Sequence, residues 1–163
     1  MRIVMEFENH PVLRHIGKLK TRPATDIPSS RIGVGFECLD RQMWDPDRAW
    51  PVLEALGVKW ARVQTGWARS EKTPGSYDFQ WLDEIVDNLI KRGVRPWLSL
   101  SYGNPVYTAG MRKTPGGAEP EKLVCDQHGV GFPPIQSGEE RTAWQNYTRA
   151  VVRHFRDRIT HYE

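Results

Sequence analysis

The fold is decided by the stretch Gly57-Val58-Lys59-Trp60-Ala61-Arg62-Val63-Gln64-Thr65-Gly66-Trp67 and its continuation Glu71-Lys72-Thr73-Pro74-Gly75-Ser76-Tyr77-Asp78-Phe79. A glycine that can end a helix precedes a short apolar strand, and a Pro-Gly turn and a helix-capping aspartate follow it. This order predicts one strand-helix unit of a parallel sheet, with polar and aromatic groups where the strand opens into its loop.

Arg62 lies in the middle of this predicted strand. A guanidinium that leaves water needs an anionic or carbonyl partner, because an uncompensated buried charge is costly. Two interpretations fit this position: a residue of a functional site, or a structural ion pair at the end of a strand.

Short apolar runs predict four strands in all. They cover residues 31–37, 58–65 and 94–101, and a fourth begins at residues 159–163. Glu37 lies at the carboxyl end of the first strand. Pro96 is placed near the start of the third strand, because a proline cannot donate to a sheet ladder.

Two helices separate the first three strands. Asp45-Pro46 supplies the cap and first-turn proline of a helix that ends at Gly57, and Asp78 caps a helix that ends at Gly93. Apolar residues at the helical period predict their buried stripes. These stripes are Trp50, Leu53 and Leu56 in the first helix, and Phe79, Leu82, Ile85, Val86, Leu89 and Ile90 in the second.

Two segments carry no sustained periodic pattern. Residues 1–30 are interpreted as an N-terminal extension, with short strands at 3–7 and 12–19, and residues 31–163 as one domain. Residues 102–138 form an unusually long connection, and loops of such length are usually functional or disordered. Ser137 and Glu140 then form a capping box for a third helix, with the apolar positions Trp144, Tyr147, Val151 and Phe155.

Composition excludes several classes of partner. The formal net charge is +3, and no long run of like charges indicates nucleic-acid binding. No apolar run reaches membrane length, and the N-terminus has no signal-peptide core. Cys38 and Cys125 lie far apart, and neither His128 nor His154 has a partner at metal-ligand spacing, so we expect no metal or cofactor and a reduced, cytoplasmic protein.

The alternation of strands and helices predicts an α/β fold with a parallel sheet and right-handed crossovers. About four strands and three helices, with a large loop at a strand's carboxyl end, fit half of a (β/α)8 barrel or part of an open sheet. A dinucleotide-binding fold is disfavoured, because Gly33-Val34-Gly35 lies within the first strand and lacks the later glycine.

Three groups of residues, taken in this order, carry a resemblance to a known family. They are 57–62, then Trp67 and 71–79 with Trp81-Leu82-Asp83, then Pro96-Trp97-Leu98-Ser99-Leu100-Ser101-Tyr102-Gly103-Asn104-Pro105. Together they resemble the first half of the catalytic (β/α)8 barrel of a large clan of retaining glycoside hydrolases. Family 39, the β-xylosidase and α-iduronidase group, looks nearest, over about residues 31–163.

The resemblance implies a two-glutamate chemistry. In that clan the acid/base follows the fourth strand in a Trp-Asn-Glu-Pro type motif, and the nucleophile ends the seventh strand, with the two carboxyl groups about 5 Å apart. Glu163 matches a position shortly before the acid/base. We therefore expect both catalytic glutamates to be missing from these residues, and the chain alone to be inactive.

The resemblance also implies a sugar-binding face. Arg62 matches an arginine that helps to keep the nucleophile ionised, and Glu37 lies where first-strand polar residues reach sugar hydroxyls. The other expected substrate-binding residues follow strands two and three: Trp67, Tyr102, Asn104 and Tyr107. A loop-supporting carboxylate is the alternative for Glu37, and plain packing is the alternative for each aromatic. Glu71 is expected to face solvent or support a helix.

The leading hypothesis is the N-terminal part of a retaining O-glycoside hydrolase, β-xylosidase-like or β-galactosidase-like, acting on carbohydrate. The alternative is a non-catalytic carbohydrate-binding or interaction module derived from such a barrel. Half a barrel leaves strand edges unpaired, which favours self-association. The inward-facing residues expected to lose their cover are Val34, Trp60, Leu98 and Tyr162.

Overall fold

The computed structural model describes residues 16–18, 20–108, 134 and 137–163. Within them lies a three-stranded parallel sheet of β1 (Gly33–Gly35), β2 (Trp60–Gln64) and β3 (Arg95–Ser99), in the order β1-β2-β3. The predicted α/β class is confirmed. Each strand is shorter than the run of residues that predicted it.

The predicted fourth strand lies beside β3. Tyr162 forms a parallel bridge with Leu98. The main-chain nitrogen of Leu98 donates to the oxygen of His161 at 3.0 Å, and that of Glu163 donates to the oxygen of Leu98 at 3.0 Å. The described residues therefore form three parallel strands, and a single bridge at Tyr162 marks the position of the predicted fourth strand.

The three predicted helices are α1 (Trp50–Leu56), α3 (Gln80–Lys91) and α5 (Gly138–Phe155). Gly57 ends α1 in the left-handed conformation, with a φ of 67°, that favours glycine. At α5 the hydroxyl of Ser137 accepts from the nitrogen of Glu140 at 3.1 Å, as the predicted cap requires. Asp45 instead caps a separate 3-10 helix, Pro46–Arg48, that leads into α1.

Short helices follow the carboxyl ends of two strands. They are α2 (Trp67–Ser70) after β2 and α4 (Pro105–Thr108) after β3, and another 3-10 helix spans Ala24–Asp26. None of these short helices was predicted from the sequence. A single turn contains too few residues to show a helical period.

The core lies between the sheet and the three long helices. Its fully buried side chains include Val63 and Leu98 from the strands, and Leu82, Val86, Leu89, Val151 and Phe155 from the helices. Two residues of the predicted stripes are exceptions. Leu56 is 48% exposed and Ile90 is 42% exposed, because each lies at the margin of its helix's apolar face, next to the helix end.

The other face of the sheet, which we call the uncovered face, is less buried within the described residues: Trp60, Arg62 and Trp97 on it are half-buried, although Gln64 and Ser99 are buried. Three of the four residues expected there, Val34, Leu98 and Tyr162, pack with the core instead. Successive side chains of a strand point to opposite faces, and this expectation assigned the wrong face to all three. Trp60 and Arg62 lie on the uncovered face.

The described part of the N-terminal extension packs against the domain. Ala24 is fully buried, and its main-chain oxygen accepts from Lys59 Nζ at 2.9 Å. The indole nitrogen of Trp60 donates to the oxygen of Ser30 at 3.0 Å. A domain boundary at residue 31 stays a prediction. The strand expected at 3–7, and most of that at 12–19 and of the long connection, lie outside the described residues.

Neighbouring residues of α3 test where the core lies. Leu89 is fully buried, whereas Ile90 beside it is 42% exposed. We expect Leu89→Ala to lower the free energy of unfolding by about 2–5 kcal/mol, and Ile90→Ala by no more than about 1 kcal/mol. Urea denaturation of both variants measures this difference. Equal losses would contradict the packing described above.

Candidate functional site

The carboxyl ends of the parallel strands lie at one edge of the sheet, and polar side chains gather there on the uncovered face. Gly35, Arg62 and Trp97 lie side by side in register on β1, β2 and β3. Because Gly35 has no side chain, the face next to Arg62 stays open for Glu37, which lies two residues further along. This edge of the sheet is where barrels of the TIM type carry their sites.

Arg62 is the centre of this group of residues, which we call the Arg62 cluster. Its guanidinium forms salt bridges with Glu37 and Glu163. Its Nε donates to Glu163 Oε1 at 2.7 Å, and its Nη2 donates to Ser99 Oγ at 3.1 Å. The partner that sequence analysis required for Arg62 is therefore present. The hydrogen bonds to Glu163 and Glu37 raise the pKa of Arg62 and keep it cationic.

Glu163 has a second donor besides Arg62. The indole nitrogen of Trp97 donates to its Oε2 at 3.1 Å. The side chain is 47% exposed, so solvent screens the charge pair. The hydrogen bond from Arg62 lowers the pKa of Glu163. The arginine cation therefore stabilises the ionised form of this carboxyl group, as it is expected to do for any carboxyl group placed beside it.

Glu37 is fixed by hydrogen bonds to both its main chain and its side chain. Its main-chain oxygen accepts from Trp44 Nε1 at 2.8 Å, and its Oε2 accepts from Gln64 Nε2 at 3.3 Å. Gln64 also donates to the Tyr102 hydroxyl and accepts from the nitrogen of Cys38 at 3.0 Å. Both interpretations of Glu37 are thus compatible with its position, because it supports the loop and also lies on the open face.

The predicted site residues fall into two groups. Glu37, Arg62 and Tyr102 come together in the Arg62 cluster. Trp67, Asn104 and Tyr107 gather around Glu71 instead, and both Trp67 and Asn104 are fully buried. Tyr107 stacks on Trp67 at 5.4 Å between ring centroids. Burial favours the packing interpretation for Trp67, since no sugar ring can reach a buried indole.

Glu71 does not face solvent as expected. It is fully buried, and both of its carboxylate oxygens accept hydrogen bonds from neutral donors. A turn before Pro74-Gly75 favours exposure on local grounds only. The turn is covered by the loop after β3, which carries Asn104 and Tyr107 and lies far along the chain from Glu71.

Several members of the Arg62 cluster were not among the residues predicted from the sequence. Gln64 and Ser99 follow Arg62 and Trp97 by two residues, so strand alternation alone places each pair on one face. That signal was available for both. Glu163 could not be found in this way, because its contact with Arg62 spans 101 positions of sequence.

A cleft of about 620 Å³ adjoins Tyr102 without including Arg62. Asp40, Arg69 and Trp81 are among its lining residues. Burial raises the pKa of Asp40, and the Arg69 guanidinium lies 4.1 Å from the Trp81 ring centroid. The described residues contain no cluster of three or more His, Cys, Asp or Glu side chains that could hold a metal ion. No described helix is long and apolar enough to cross a membrane.

Solved structures share this fold. A family 39 glycoside hydrolase from Bacteroides cellulosilyticus WH2 superimposes with a TM-score of 0.58 over 86% of this chain and 24% of its own, at 19% identity. A β-galactosidase from Halorubrum lacusprofundi gives a TM-score of 0.60 over 82% of this chain and 20% of its own, at 17% identity. The architecture is therefore that of part of a (β/α)8 barrel.

The family follows from the sequence comparison. The profile of glycoside hydrolase family 42, beta-galactosidase, matches residues 36–163, and the chain belongs to this family. The resemblance to glycoside hydrolases is confirmed, but the matching family is 42 and not family 39, which looked nearest from the sequence. Beta-galactosidase BgaA of Clostridium cellulovorans is 33% identical over 81 residues, and Beta-galactosidase BbgII of Bifidobacterium bifidum is 32% identical over 89 residues.

These matches cover 48% and 54% of this chain. They cover only 11% and 12% of the two relatives. The chain therefore corresponds to only a small part of the length of each curated protein.

The charge pair of Arg62 and Glu163 should make the stability of the protein depend on pH. A carboxyl group whose pKa is lowered by folding stabilises the folded state at neutral pH, and loses that effect as the pH falls through the lowered pKa. We expect Glu163 to titrate below its ordinary range, and Arg62→Gln to return it to that range. The stability difference between wild type and Arg62→Gln should narrow in acid.

Carbon-13 NMR of the Glu163 carboxyl group measures the midpoint, and urea denaturation at several pH values measures stability. Arg48→Gln is the matched control, because Arg48 is exposed. An unchanged Glu163 midpoint in Arg62→Gln would show that the pair does not persist in solution.

Proposed function

We propose that this chain forms the N-terminal strands of the catalytic barrel of a retaining O-glycoside hydrolase, and that the Arg62 cluster is part of its sugar-binding face. One observation carries the proposal. A cationic guanidinium lies between two glutamates at the carboxyl ends of parallel strands, on the face that a complete barrel encloses.

Arg62 is proposed to act electrostatically. Retaining hydrolysis needs one carboxyl group protonated and the other ionised. An arginine within a few ångströms favours the ionised form, as its effect on the pKa of Glu163 illustrates. In the complete barrel we propose that Arg62 has this effect on the nucleophile, while Glu37 and Tyr102 contact sugar hydroxyls.

The proposed substrates are β-galactosides or β-xylosides. The two curated relatives are named beta-galactosidases, which supports the galactoside. No metal or cofactor is proposed, because the two carboxyl groups carry this chemistry. A cytoplasmic location is also proposed, on the low cysteine content and on Cys38, which is a free thiol.

Activity assays test whether the residues of this chain can hydrolyse a glycoside by themselves. We expect the 163-residue chain to hydrolyse nitrophenyl β-galactoside or β-xyloside no faster than background, because the resemblance places both catalytic glutamates outside it. Turnover that survives repurification and disappears in Glu37→Gln would overturn this. Sequencing beyond codon 163 is the companion test, and a frame that continues into a Trp-Asn-Glu-Pro type motif supports the hydrolase.

Self-association is proposed because two strand edges have no partner in the described sheet. β1 pairs only with β2, and residues 161–163 pair only with β3. Unpaired main-chain groups beside apolar side chains invite pairing with another chain. We expect the sedimentation coefficient of the purified chain to rise with concentration. A monomer that melts cooperatively at all concentrations would contradict this proposal.

A further inference from the structure

Glu71 is a fully buried carboxylate without a cationic partner in the part of the chain that the structure describes. A buried charge of this kind is tolerated only when hydrogen bonds satisfy its oxygens. Its Oε2 accepts from Trp67 Nε1 at 2.5 Å. Its Oε1 accepts from the nitrogen of Gly75 at 2.7 Å and from the Tyr107 hydroxyl at 2.6 Å.

These donors come from three separate segments. Trp67 begins α2, Gly75 lies in the turn before α3, and Tyr107 lies in α4 after β3. The main-chain oxygen of Glu71 also accepts from Asn104 Nδ2 at 2.8 Å. Glu71 therefore fixes the position of the loop after β2 relative to the loop after β3.

The second loop carries Tyr102 to the Arg62 cluster. Asn104 holds the start of α4 through Oδ1, which accepts from the nitrogen of Val106 at 3.0 Å. Tyr102 lies two residues before Asn104, and its hydroxyl accepts from Gln64, which also donates to Glu37. A displacement of Asn104 and Tyr107 would therefore move Tyr102 away from Gln64.

We propose that Glu71 is a positioning residue, which locks the loops after β2 and β3 together and so places Tyr102 on the sugar-binding face. The inference rests on the proposed function for the meaning of that face. Glu71 itself is buried and touches no substrate. It acts through Asn104 and Tyr107.

The chemistry of the donors explains why a carboxylate is required. The Trp67 indole and the Gly75 amide can only donate, and they approach different oxygens of Glu71. Glutamine has the same shape but one oxygen, so its NH2 group must face one of these two donors. The Tyr107 hydroxyl can rotate and accept a hydrogen bond instead. Of the three donors, only Tyr107 could therefore still pair with the NH2 group of glutamine.

The test uses NMR and hydrogen exchange on the 163-residue chain. In Glu71→Gln we expect exchange at the amides of Gly75, Val106 and Tyr107 to accelerate about tenfold or more relative to α3. The Gln64 side-chain amide and the Tyr102 ring signals should shift at temperatures where the variant is folded. Glu54→Gln on the exposed side of α1 is the matched control and should change neither.

A merely structural role predicts a different result. Glu71→Gln would then lower the melting temperature but leave the Gln64 and Tyr102 signals of the folded protein at their wild-type positions, and that outcome overturns the proposal. If Glu71→Gln does not fold, Tyr107→Phe replaces it, with smaller shifts of the same signals expected. Unchanged signals in folded Tyr107→Phe overturn the proposal equally.

A double-mutant cycle tests the donor argument itself. Trp67→Phe removes the donor at Oε2, so the NH2 group of glutamine meets no donor there. We expect Glu71→Gln to accelerate exchange less in the Trp67→Phe background than in wild type, and equal acceleration would refute the mechanism. None of these measurements uses glycosidase activity, so a failed activity assay would not mimic a failure here.

Discussion

The charge of Arg62 is the constraint on which the uncovered face depends. The arginine lies on the middle strand, and its guanidinium contacts Glu37 beyond β1, Ser99 on β3 and Glu163 beside it. One side chain thereby joins the carboxyl ends of the three strands to residue 163, which follows the bridge beside β3. Because the group is half-exposed, its pairing contributes little stability. Its effect is on geometry, since it holds two carboxylates at a defined place on the face.

Glu71 also needs partners for its polar atoms, but these partners differ in kind from those of Arg62. Arg62 can use opposite charges because solvent still reaches the cluster, whereas Glu71 is fully buried and uses neutral donors. A buried cation would bring its own desolvation cost. Neutral donors on three segments avoid that cost and tie the segments together. The polar face and the loop scaffold behind it are linked through Asn104 and Tyr102.

Particular elements show how far sequence patterns extend. The helix ends at Gly57 and Gly93 and the cap at Ser137 were predictable, because each depends on a few neighbouring residues. The faces of Val34 and Leu98 were not, although alternation along each strand was visible. Alternation divides a strand into two sets of residues, but it does not say which set meets the helices, and here both strands presented the apolar set to α-helices.

The sequence by itself determined the α/β class, the order of strands and helices, the clan of glycoside hydrolases and the need of Arg62 for an anionic partner. These depend on local periodicity, on capping residues and on the identity of a single charged group. Only the tertiary structure decided that Glu163 is one of those partners, that Trp67 is buried, and that Glu71 joins two loops. Each of these contacts depends on how loops after parallel strands fold over one another, and local sequence patterns do not record contacts between residues distant in the chain.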